Sequence, residues 1–207
     1  MHPQNKLWLS MLFAGLLTVA AFSGIAEASE FLADFVIKGE MMSDSGKLWV
    51  KGHKARQEMG AQAEKIIMIM DLDQGFQWTL MPDVKMFIKT KIQSNGKGFR
   101  PENFVGMQQG PMEAQIKRVG TETLKGYECD KYSFIFKNKE MGTMTQWFAI
   151  KLGYPIKIIN TSDMMGEVIT ELQNIKTASV RDDLFTVPSD YKEIQQSQIP
   201  QMPVENQ

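Results

Sequence analysis

Apolar residues return at every second position through most of this chain, and that period dictates strands whose two faces meet different surroundings. Phe35, Ile37, Gly39 and Met41 alternate with Asp34, Lys38 and Glu40, and Leu48 and Val50 alternate with Lys47, Trp49 and Lys51. Phe76, Trp78 and Leu80 alternate with Gln77 and Thr79, and Met86, Ile88 and Ile92 with Lys85, Lys89 and Lys91. Further along, Tyr132, Phe134 and Phe136 alternate with Lys131, Ser133 and Lys137; Met144, Phe148 and Ile150 share a face; so do Ile156 and Ile158, and Val168, Thr170 and Leu172. The continuous run Ile66 to Met70 fits a strand covered on both sides. Turn-forming stretches such as Ser43-Asp44-Ser45-Gly46, Asp71-Leu72-Asp73-Gln74-Gly75, Pro82-Asp83, Lys137-Asn138-Lys139 and Met164-Met165-Gly166 separate the runs. Alternation so regularly interrupted predicts a meander of antiparallel hairpins, roughly nine to eleven strands in one large curved sheet.

One segment departs from this period. Arg100 to Gly110 places Pro101 at a first helical position and Glu102 in the first turn, and Gly110-Pro111 ends it. Phe104 and Met107 would share a face of that short helix. The expected class is therefore mainly β with a little helix: a single strongly curved antiparallel sheet, an unclosed β-barrel, with one short covering helix. So little helix cannot cover the sheet as in a two-layer domain. Either the sheet closes on itself, or it leaves an apolar concavity partly covered by the insert.

Residues 1–28 have the form of a cleavable export signal. Lys6 gives a basic start, Leu7 to Ile25 an apolar run broken by small residues, and Ala26-Glu27-Ala28 a small-x-small cleavage site. A membrane anchor is the alternative, but the unbroken apolar core is short and no basic stop-transfer cluster follows. On this reading cleavage follows Ala28, the domain runs over 29–194 in the periplasm, and the Gln- and Pro-rich stretch 195–207 is a disordered tail. The 23 Lys and Arg nearly balance 24 Asp and Glu, which gives no long-range attraction to nucleic acid. A single cysteine, Cys129, excludes an internal disulfide framework. Methionine is abundant at 16 residues, several in loop-like stretches, and it either fills the core or lines a surface that adapts to varied apolar shapes.

The residues of catalysis are scarce. After the leader only His53 and Cys129 remain as candidates for nucleophilic chemistry, and they have no evident third, orienting group. No spacing suits a metal or a phosphate-cradling loop. Asp71 and Asp73 faintly echo a calcium loop, yet the terminal bidentate glutamate is missing and a hairpin turn fits better. Neither an enzyme nor a cofactor is expected.

Several stretches resemble the LolA-like outer-membrane lipoprotein carriers. Gly46-Lys47-Leu48-Trp49-Val50-Lys51 followed by Lys54-Ala55-Arg56-Gln57-Glu58 is similar to their strand that opens on glycine and turns into an Arg-aromatic-Glu strand, with Gln57 in place of the aromatic. Asp73-Gln74-Gly75-Phe76-Gln77-Trp78 with Met81-Pro82-Asp83 is similar to their "DG" hairpin, and Phe185-Thr186-Val187-Pro188-Ser189-Asp190-Tyr191 to their closing segment. Gly126 to Tyr132, Trp147 and Gly153-Tyr154-Pro155 resemble an uncharacterised exported branch of the same superfamily. The resemblance implies an unclosed barrel whose apolar cavity takes acyl chains, with Arg56 bonded to a lid. The carriers' amphipathic helix before the first strand has no counterpart after Ser29, where the first strand follows within a few residues.

The expectation is a periplasmic carrier or binding protein for a lipid, acyl chain or lipoprotein, with transient contact to envelope membrane proteins. Its cavity would be lined by Phe35, Ile37, Leu48, Val50, Phe76, Trp78, Leu80, Met86, Ile88, Tyr132, Phe134, Phe136, Met144 and Phe148. Arg56, Phe104 and Met107 would form its lid. An envelope sensor or assembly factor gripping a protein partner through the same curved sheet is the alternative.

Overall fold

The computed structural model describes residues 30–60, 65–92, 98–101 and 113–195. Strands β1 (Glu30–Gly39), β2 (Ser43–Lys51), β3 (Lys54–Met59), β4 (Ile66–Asp71), β5 (Phe76–Met81) and β6 (Met86–Lys91) follow one another. A second run comprises β7 (Ala114–Leu124), β8 (Tyr127–Phe136), β9 (Thr143–Ala149), β10 (Tyr154–Ser162) and β11 (Gly166–Thr177), and the two-residue β12 (Lys192–Glu193) ends the series. All lie in one sheet of order β12-β6-β5-β4-β3-β2-β1-β11-β10-β9-β8-β7. The two runs join where β11 returns beside β1, pairing Phe35 with Leu172 and Ile37 with Thr170. Every pairing is antiparallel except the short contact of β12 along β6, so the sheet is mixed at one edge. It curls without closing, and β7 remains an edge. The expected helix falls outside the described residues from Glu102 onward, as do residues 1–29 and 196–207.

The curl brings distant strands together over one face. Phe31 of β1 and Tyr154 of β10 meet edge-on with ring centroids 5.7 Å apart, and Phe99 lies against Tyr154 at 5.0 Å. The Tyr154 hydroxyl is hydrogen-bonded to the side chain of Gln57 on β3, four strands away in the sheet. Burial pushes that phenol far above its ordinary pKa. This face is the inside of the curve. Phe31, Ala33, Phe35, Leu48, Val50, Ala55, Met70 and Leu172 fill it near one end of the strands, where burying each large side chain contributes about 1.5–3 kcal/mol.

Part of the outer face is covered by the chain itself. After β11 the chain crosses the outside of β2–β6 as a strap containing the 3-10 turn Asp182–Phe185. Val180, Leu184, Phe185, Val187 and Tyr191 pack there against Trp49, Ile67, Ile69, Trp78, Leu80 and Phe87. β4 is therefore covered on both sides, which accounts for its unbroken apolar sequence.

Candidate functional site

At the end of the strands away from Tyr154 the inner face is open. A cavity of about 500 Å³ is floored by Ile37 of β1, Val168 and Thr170 of β11, Asn160 and Ser162 of β10 and Phe136 of β8. Three hairpin tips form its mouth: β1–β2 with Met42, β8–β9 with Glu140 and Met141, and β10–β11 with Met164 and Met165. Met41 and Met164 are 76% and 74% exposed. Pairing across β11, β1 and β10 sets this arrangement, since Ile37, Thr170 and Ile158 stand opposite one another and the tips beyond them must converge.

The residues expected to line a cavity separate into three groups. Ile37 and Phe136 line it, and Met86, Ile88, Tyr132 and Phe148 lie half-buried in register on the same inner face. Phe35, Leu48, Val50, Phe134 and Met144 also face inward but are packed into core clusters, so the polypeptide itself fills that part of the hollow. Phe76, Trp78 and Leu80 face outward. Their partners on β4 are Asp71, Ile69 and Ile67, and Leu80 is buried beneath the strap. The rule that large apolar side chains point into the curve fails at β5 because the strap gives its outer face something to bury. The Asn138 side chain caps the turn that carries Glu140 and Met141, accepting a hydrogen bond from the Glu140 backbone N–H at 3.1 Å.

Arg56 also stands on the outer face, and this corrects its expected role at the cavity. Its Nη1 donates to the Leu184 carbonyl of the strap at 2.9 Å, and Nε and Nη2 donate to Glu58 at 2.9 and 2.6 Å. It is a clip for the strap. Lys51 Nζ donates to the Val180 carbonyl at 3.0 Å, and the Val180 N–H donates to Glu30 at 2.8 Å, as further clips. Burial alone would raise the Glu58 carboxyl, but Lys65 and Arg56 outweigh it and hold the group below its ordinary value. A depressed carboxylate contributes stability above its unfolded-state value that is lost as pH falls through the folded one, so this clip weakens in acid. Phe104 and Met107 lie outside the described residues.

His53 and Cys129 are each engaged elsewhere. The His53 ring nitrogen is 2.7 Å from Asp73 across neighbouring turns. The Cys129 thiol is buried, donates to the Tyr127 carbonyl at 3.4 Å, and is pushed up in pKa by burial, which disfavours the thiolate. Asp71 organises the β4–β5 turn, accepting from the backbone N–H groups of Asp73 and Gln74 and from the Gln74 side chain.

Alternation alone gives no signal for Gln146. It lies on β9 between Met144 and Phe148, opposite Tyr132 and Ile158, fully buried, with neither amide atom hydrogen-bonded. An unpaired buried amide costs about 1–3 kcal/mol. Gln146→Leu keeps the shape and removes that cost, so it should raise the unfolding free energy by about 1 kcal/mol or more in urea denaturation. A loss of stability instead would mean that the amide has a partner, such as a trapped water.

A model of a domain of unknown function, DUF4412, matches residues 34–153 and 136–191. The chain belongs to the DUF4412 family. No curated protein matches it. Among solved structures, an uncharacterized conserved protein from Thermus thermophilus is similar at 8% identity and a TM-score of 0.54, over 82% of this chain and 92% of that one. The MucA/MucB complex of Pseudomonas aeruginosa is similar at 11% identity and 0.49, over 80% of this chain and 58% of that one. A LolA superfamily protein from Nitrosomonas europaea is similar at 14% identity and 0.38, over 77% and 90%. At these identities the likeness concerns fold alone, and the first structure supplies it: the DUF4412 chain shares an architecture that spans nearly the whole of that protein.

Proposed function

We propose that this DUF4412 protein is an exported carrier or binding protein that holds a lipid, an acyl chain or the lipid part of a lipoprotein in the inner-face cavity and does no covalent chemistry on it. The cavity carries the reading: about 500 Å³ lies within the range of small-molecule sites, and its floor sets the apolar side chains Ile37, Val168 and Phe136 beside Thr170, Asn160 and Ser162. Burial of the ligand's methylenes would supply the affinity at about 0.8 kcal/mol each. The flexible thioethers of Met42, Met141, Met164 and Met165 suit chains of differing length and unsaturation. Residues 1–28, with the form of an export signal, would place the domain in the periplasm.

Native mass spectrometry of protein recovered from the periplasm should show an added lipid mass, and a fluorescent fatty acid should displace it. Thr170→Trp, which fills the cavity from its floor, should lower fatty-acid affinity about tenfold while the protein stays folded. An apo spectrum together with no fatty-acid uptake would end this reading.

A further inference from the structure

The three hairpin tips at the cavity mouth carry more than methionine. Glu40, Asp44, Glu140, Asp163 and Glu167 stand on them, four exposed and Asp44 half-buried. None of the five is in an ion pair among the described residues. Against them stand Lys38 and Lys139, since Lys137 is bonded to Glu113 at 2.8 Å. The whole chain has a net charge of only −1, so the acidic excess belongs to this end of the sheet. The same tips expose Met41, Met42, Met164 and Met165, and the last three border the cavity. A cluster of large apolar side chains left in water inside a ring of carboxylates is a docking surface in search of a cover.

We propose that this mouth docks a basic, apolar peptide segment of another protein, its bulky side chains lying across the methionines and its Lys or Arg side chains on the surrounding carboxylates. Charge selects this occupant. The carboxylates repel an anionic lipid surface, and a second copy of the same patch would meet its own charge. The chain's own residues 196–207 contain Glu205 and neither Lys nor Arg, so they lack the complement. Methionine suits a partner read by amphipathic character, because its unbranched side chain repacks around apolar groups of varied shape. Met42, Met164 and Met165 border both this docking surface and the cavity, whose floor lies behind them.

The test uses the exported chain and two short dansylated peptides with leucine at helical spacing, one carrying lysine and the other glutamate at the remaining positions. Fluorescence anisotropy should show the lysine peptide binding and losing about tenfold in affinity when NaCl is raised to about 0.5 M, with no binding of the glutamate peptide. Replacing Met41, Met42, Met164 and Met165 with serine should weaken the lysine peptide at least about tenfold. These side chains are exposed, so an unchanged melting curve confirms that the variant folds. Glu140→Lys combined with Glu167→Lys should weaken it similarly. Equal binding of the two peptides, indifference to salt or unchanged affinity in the serine variant would overturn the proposal, as would binding of anionic vesicles in place of the peptide. Fatty-acid uptake and peptide binding measured on the parent protein separate the two readings: no uptake with peptide docking removes only the acyl-chain reading, and uptake with no peptide docking removes only this one.

Discussion

Gly46→Ala should be among the most damaging single changes to this protein, lowering its stability by about 3 kcal/mol or more and its melting temperature by roughly 10 °C. Gly46 sits on β2 opposite Phe35 of β1 and Met59 of β3. A Cβ there would enter the backbone carbonyl oxygen of Glu58 and come within 2.6 and 2.8 Å of the Phe35 ring. The carbonyl is backbone and cannot swing aside, and Phe35 is 3% exposed in a filled core. The chain must therefore open the β2–β3 pairing or expel the ring. Gly120→Ala on β7 is the control, because a Cβ there meets nothing within 4 Å and the change should be close to neutral. Thermal melts of the two variants decide the matter. A Gly46→Ala protein that melts with the parent would show that the strands do not approach so closely.

Gly46, inside β2, is thus readable as a motif before its reason is visible, and much of the sheet is legible in the same way. β1, β8 and β11 alternate because one face is core and the other largely water. β7 escapes that reading. Its residues Gln115, Lys117, Arg118, Thr121 and Glu122 are polar on both faces, since an edge strand has less to bury. Its turn into β8 is built from Lys125 and Gly126, both at positive φ, the geometry that suits a tight hairpin. β5 is legible as a strand but with its faces exchanged, because the strap that packs on Trp78 and Leu80 arrives from about a hundred residues away and leaves no local trace. The cavity is half legible. Met41-Met42 and Met164-Met165 stand out as methionines in turns, but their convergence depends on β1 pairing with β11, and no local pattern announces a contact of that separation. Gln146 gives no warning at all, since a polar residue on an alternating strand reads as solvated.

Truncating Phe185 to alanine should cost about 3–4 kcal/mol and release the strap without disturbing the cavity. Phe185 is 7% exposed and clusters with Ile67, Ile69, Leu80 and Val180 on the outer face. The polar clips at Arg56, Lys51 and Glu30 are partly exposed, and each contributes roughly 1 kcal/mol, so the ring is the larger anchor. Once it is gone, the strap should become the first site of cleavage in limited proteolysis, and urea denaturation should show the full loss. Fatty-acid uptake at temperatures well below the new melting point should match the parent, because the cavity opens on the other side of the sheet. This contrast separates a strap from a lid. If Phe185→Ala left stability intact yet changed the rate of ligand release, the C-terminal segment would be gating the inner face, and the outward placement of Arg56, Trp78 and Leu80 would have to be abandoned.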